Sequence, residues 1–174
     1  MNIVKNRRFD ASLIIDVKKC SFNHAQVIIC KPIGKSLRGF RPFPTSFWLV
    51  CPYLIKLASK IEANGGVKEL ENFLVENKLQ KQWRRYNFFH QLVRLRLMNS
   101  NQANFMRKFH KRIFKNLIRG GVGGIYYDVA KVNVKCLHLQ TASFIALGYH
   151  PGSYWLKSKG LCVDANCGKI CKMC

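Results

Sequence analysis

Residues 11–31, Ala11-Ser-Leu-Ile-Ile-Asp-Val-Lys-Lys-Cys20-Ser-Phe-Asn-His24-Ala-Gln-Val-Ile-Ile-Cys30-Lys31, set two β-branched runs on either side of a polar centre at Ser21 to His24. β-Branched side chains fit a pleated, half-buried surface, and a polar centre between two such runs makes a turn, so this stretch reads as a β-hairpin. Pro32, Gly34, Gly39, Pro42 and Pro44 then punctuate a basic connector from Lys31 to Pro44, which is expected to be irregular. Beyond it the period changes from two to helical. Pro52 suits the first turn of a helix carrying Leu54, Leu57, Ala58 and Ile61, and Asn64-Gly65-Gly66 stops it. A second helix is expected from Val67 to Asn77, with Leu70, Phe73 and Leu74 on one side. Two more, 80–98 and 102–119, are expected around a break at Asn99-Ser100-Asn101, and Gly120 to Gly124 ends the latter, starting with a left-handed cap. Ile125 to Val129 has the composition of a short strand, Asn133 to Leu147 that of a last long helix, and the tail from Gly148 reads as loop. The expected fold is a single α+β domain: a hairpin (11–31) packed on a mainly helical core (45–147) of about five helices, followed by a Cys-rich tail (148–174).

The chain has 174 residues, with 30 Lys and Arg against 8 Asp and Glu, and a formal net charge of +22. At this length a core forms without disulfide staples, and 48% hydrophobic content argues against disorder. The longest apolar stretch, Phe47 to Leu57, is interrupted by Pro52 and Lys56, so no segment approaches the ~20 apolar residues that span a bilayer. The basic N-terminus is not followed by the apolar core and cleavage site of a secretory signal. The expected location is therefore cytoplasmic and reducing, where eight cysteines are thiols, metal ligands or redox groups rather than disulfides.

Three separated blocks carry a resemblance: Arg41-Pro-Phe-Pro-Thr-Ser-Phe-Trp-Leu-Val-Cys51-Pro-Tyr-Leu54, Gly121-Val-Gly-Gly-Ile125 and Val134-Lys-Cys136-Leu-His138. In this order the chain resembles the bacterial group catalogued as domain of unknown function 501. The resemblance implies a small α+β protein with no established activity to transfer. It puts Cys51, Cys136 and His138 on motif positions, and cysteine is common in the family's tail, as Cys162 is here. Histidines often follow the family's Cys-Leu-His block, where this chain has Gln140 and Ser143, and its Asn-Pro-x-Gly block is shortened to His150-Pro151-Gly152.

Thiolates are favoured ligands of zinc and of iron–sulfur clusters, and a site usually takes four protein ligands. The expected metal set is Cys51, Cys136 and Cys162 with Cys167 as the fourth, and His138 as a substitute. Residues 136 and 138 of a regular helix point about 200° apart, so both reach one metal only if the helix is just beginning there. The plain alternative is that Cys51 and Cys136 are small buried hydrophobes. A cysteine-dependent enzyme using Cys136, or a structural protein with a metal-stapled tail, are the rival functions. No Walker loop, nucleophile elbow or paired-carboxylate pattern is present.

Within 102–119, Arg107, Lys111, Lys115 and Arg119 recur every fourth residue beside Lys108 and Arg112, filling an arc of about 140° on a continuous helix. Opposite them fall Phe105, Met106, Phe109, Ile113 and Leu117, which are expected in the core. Such an arc neutralises phosphates, so nucleic acid or another polyanion is the expected partner, and a peripheral membrane contact shares the signature.

Overall fold

The computed structural model describes residues 11–36, 39–128 and 130–163. Strands β1 (Ile14–Lys19) and β2 (Ala25–Cys30) form the hairpin read from the sequence, in antiparallel register from Ile14 opposite Cys30 to Lys19 opposite Ala25. Its turn is closed by the Cys20 N–H on His24 O and the Asn23 N–H on Cys20 O, with Asn23 at φ +63. Asparagine accepts the left-handed region more readily than most residues. β2 is central in a three-stranded sheet and buries Gln26, Val27, Ile28 and Cys30, while the edge strand β1 keeps Asp16, Lys18 and Lys19 in solvent.

The connector 31–44 is not irregular: β3 (Ile33–Ser36) and β4 (Gly39–Pro42) pair antiparallel. Its prolines do not prevent this, because Pro32 precedes β3 and Pro42 is the last residue of β4. β5 (Phe47–Leu49) completes the first sheet against β2 in the order β1-β2-β5.

Seven α-helices follow among the described residues. α1 (Pro52–Ala63) starts with Pro52 in its first turn and Cys51 as N-cap, and Gly65 at φ +83 leads into α2 (Gly66–Glu76). α3 (Gln80–Leu97) ends before Asn99, whose side chain and that of Gln102 form a reciprocal capping box on α4 (Ser100–Phe109). The expected helix 102–119 is broken at His110 (φ −130, ψ 47), and α5 (Lys111–Arg119) begins anew. No proline or glycine stands at the break. On a straight helix Met106 and Leu117 stand about 16 Å apart, whereas the bend gathers both with Ile33 and Met98 into one buried cluster.

The glycine block is a tight loop rather than a left-handed cap at its start: Gly120 is extended, and Gly123 and Gly124 carry the positive φ values. A Cβ on Gly124 would stand 2.1 Å from Pro44 Cβ, so the backbone of this loop packs directly on the proline ring of the connector. Residues 125–128 form no strand, and Val129 lies outside the described residues. α6 (Leu137–Leu147) starts four residues later than the composition suggests, and the tail is not all loop, since α7 (Ser153–Ser158) buries Trp155 and Leu156.

α6 is the axis of the molecule. Leu137 and every residue from Gln140 to Ile145 are buried, as expected of a helix enclosed on all sides. One face meets the sheet and the start of α1, with Ala142 and Ile145 against Val27, Phe47, Cys51 and Leu54. The main core adds Leu137 and Phe144 to Leu70, Leu74, Trp83, Tyr86, Trp155 and Leu156 of α2, α3 and α7. The α+β class holds, and no helix among the described residues is long and apolar enough to cross a membrane.

Candidate metal centre

α1 and α6 pack against each other, and the C-terminal end of α1 meets the N-terminal end of α6. Glu62, in the last turn of α1, reaches across. Its Oε1 accepts the backbone N–H of Leu137 and, at 3.3 Å, that of His138, and lies 3.0 Å from His138 Nδ1. Ser59, one turn earlier, places Oγ 3.2 Å from His138 Nε2. With Nδ1 on the carboxylate, the neutral ring carries its proton there, and Nε2 accepts from the Ser59 hydroxyl.

Cys136 is the N-cap of α6 in extended conformation (φ −156, ψ 153). The helix is indeed only beginning at this point, so the 200° objection does not apply. Donor atoms of Glu62, Cys136 and His138 lie within 4.8 Å of one another, and each residue is half-buried. Glu71 of α2 fixes the approach to this site by accepting the Val134 N–H at 2.9 Å. Burial pushes the Cys136 thiol above its ordinary value, and the Glu62 carboxylate adds to this. The Leu139 and His138 N–H groups and the Lys135 ammonium oppose it. A thiol shifted in this direction holds its proton more tightly, which disfavours it as an unassisted nucleophile.

The expected long-range set is not gathered among the described residues. Cys51 caps the opposite end of α1, about 16 Å of helix from Glu62, and is buried with Val27, Phe47 and Ala142 as a small hydrophobe. Cys162 packs against the main core, and Cys167 lies outside the described residues. The chain at Val163 is tied to the Cys51 end, since Gln26 Nε2 donates to Val163 O at 2.6 Å and Gln26 O accepts the Val50 and Cys51 N–H groups. Cys20, Cys30, Cys51, Cys136 and Cys162 form no disulfide. Glu62 went unnoticed in the sequence. Its signal is an acid in the last turn of a helix, the end that the helix dipole makes unfavourable for a carboxylate.

The basic residues Arg107 and Lys108 belong to α4, and Lys111, Arg112, Lys115 and Arg119 to α5, so they are two short faces rather than one arc. All six are exposed. Phe105 and Phe109 are not in the core: they are 41% and 60% exposed, 4.9 Å apart, with the Lys108 ammonium 5.2 Å from the Phe109 ring. α5 is held from below by α3. Buried Arg94 donates to Leu117 O (2.8 Å) and Gly121 O (2.7 Å), Gln91 donates to Arg119 O, and Asn87 accepts the Val122 N–H.

A second group of titratable side chains is sealed inside. Tyr86 makes edge contacts with His90 (4.8 Å) and His150 (4.9 Å). The His150 Nε2–H donates to Gln140 Oε1, and Nδ1 accepts the Gly152 N–H, which fixes a neutral tautomer. Burial lowers both histidines to about 3, with Arg94 adding to the effect on His90 and His90 to that on His150. A surface depression of about 300 Å³ lined by Ile33, Asn99, Asn101, Gln102, Phe105 and Met106 carries no acid, base or nucleophile.

Fold and site together define an α+β protein with an oxygen, sulfur and nitrogen donor group where two helices meet. The chain belongs to the family described as protein of unknown function (DUF501), which it matches over residues 16–157. That stretch contains Glu62, Cys136 and His138, while Cys162 and Cys167 lie beyond it. No curated protein and no solved structure matches the chain.

Proposed function

We propose that this chain is a metal-binding protein whose ligands are Glu62, Cys136 and His138, and that the metal is zinc. The observation that carries the reading is the convergence of the three donor atoms within 4.8 Å from two different helices. A carboxylate, a thiolate and an imidazole suit zinc, while a single cysteine in the group does not suit an iron–sulfur cluster. Ser59 suits either state of the ring: were Nδ1 to ligate zinc, the ring proton would sit on Nε2, and the hydroxyl would accept a hydrogen bond there instead of donating one. Three protein ligands leave a fourth position for water or substrate, the pattern of catalytic zinc sites. Metal analysis of anaerobically purified protein tests this. About one zinc per chain is expected, with Cys136→Ser and Glu62→Gln each weakening binding at least about tenfold. Metal-free wild-type protein that takes up no zinc on titration would end the reading.

A second reading, binding of nucleic acid or another polyanion through Arg107, Lys108, Lys111, Arg112, Lys115 and Arg119, is favoured by the exposure of all six. Binding to an RNA oligonucleotide should weaken steeply with salt, and Lys111→Glu with Lys115→Glu should lower the salt slope by about two. An unchanged slope would move the contact off α5.

A further inference from the structure

α3 buries three polar side chains beside Trp83 and Tyr86 and leaves three large apolar ones exposed. Asn87, His90 and Arg94 face inward, while Phe88, Phe89 and Leu92 are 53%, 46% and 46% exposed. At 100° per residue, Phe88, Lys81, Leu92, Arg85, Arg96 and Phe89 occupy one outward arc of about 100°. All six are exposed. Along the axis the arc is ordered: Lys81 and Arg85 at one end, Phe88, Phe89 and Leu92 in the middle, Arg96 at the other, over about 22 Å.

We propose that this arc of α3 docks the protein onto an anionic lipid surface, with the Phe88, Phe89 and Leu92 side chains entering the boundary between headgroups and acyl chains. The complementary charges are at both ends of the apolar group, where Lys81, Arg85 and Arg96 reach headgroup phosphates with their stems along the apolar surface. Leu92, in the middle of the apolar group, favours hydrocarbon over nucleic-acid bases. It has no ring face to stack on a base, and it is as exposed as its aromatic neighbour Phe89. The contact is peripheral, since no helix among the described residues is long and apolar enough to cross a membrane. The arc is presented rigidly, because the inward face of the same helix is pinned by Asn87 and Arg94 to the loop and helix behind it. It uses neither the metal ligands nor the basic faces of α4 and α5, so it stands or falls apart from both earlier readings.

Co-sedimentation of the full chain with phosphatidylcholine vesicles, with and without about 30% phosphatidylglycerol, tests the proposal. Wild-type protein is expected to bind the anionic vesicles and to be released in part by salt. Phe88→Ser with Phe89→Ser and Leu92→Ser should lower partitioning by about tenfold or more, with an unchanged circular dichroism spectrum and melting temperature. Arg85→Glu with Arg96→Glu should reduce the preference for anionic over neutral vesicles. Wild-type protein that does not bind anionic vesicles, or a triple-serine variant that binds as the wild type does, overturns the proposal. So does a triple variant that loses affinity for single-stranded RNA while keeping its affinity for vesicles, which would make the arc a base-stacking surface.

Discussion

Glu62 occupies the last turn of α1, where its charge opposes that helix's own dipole, and its carboxylate reaches the N-terminus of α6, where it is favoured. One carboxylate thereby caps a second helix and orients His138. Cys136 and Cys51 are both N-caps, but they differ in surroundings: Cys136 is half-buried beside a carboxylate and an imidazole, and Cys51 is enclosed by aliphatic side chains and Phe47. Their substitutions should therefore separate. Cys51→Ala is expected to cost about 1 kcal/mol of stability with metal content unchanged, as measured by denaturant titration beside metal analysis. Equal loss of metal from Cys51→Ala and Cys136→Ser would place both thiols on one ion, against the geometry found.

The elements show how a buried cation can serve structure. Arg94 has no carboxylate partner among the described residues and instead satisfies two carbonyls at the end of α5 and in the glycine loop. A cation at a helix C-terminus is also on the favourable side of the dipole, which offsets part of its desolvation. Replacing it with methionine leaves Leu117 O and Gly121 O without that donor, and should destabilise the protein by about 2–4 kcal/mol. In hydrogen exchange the loss should appear first in α5. If protection is instead lost evenly through α1, α2 and α6, Arg94 does not act as the clamp of α5. This interaction, absent from any local pattern, also sets the direction in which the α5 basic face points.

For the whole molecule, the sealed histidines predict acid sensitivity. His90 and His150 titrate near 3 when folded, against an ordinary value of 6.5. The unfolded chain therefore binds protons between these values that the folded chain excludes. Stability is fully present above about pH 6.5 and falls as pH drops toward 3, by up to about 1.4 kcal/mol per pH unit for each histidine. Denaturant melts at pH 7.5, 5.5 and 4.5 should show this loss, and His150→Gln should make it shallower. Equal stability at all three pH values would rule it out.

Hairpin 11–31, the helices after Pro52 and the break at Asn99 were legible because each rests on neighbours in the chain: side-chain alternation, a proline in a first turn, a capping box. Cys136 and His138 were legible as ligand types. What the sequence by itself determined is thus the α+β class and most helix positions, and it singled out two of the three residues of the candidate group. Tertiary structure alone decided the rest. It bent 102–119 at His110 because Met106 and Leu117 gain a shared cluster, and it delayed α6 to Leu137 because Glu62 takes the Leu137 and His138 N–H groups that a longer helix would bond to its own carbonyls. It also brought Glu62 to Cys136 while leaving Cys51 at the far end of α1. Contacts between residues some 75 positions apart carry no periodicity along the chain, so only packing of α1 against α6 could select them.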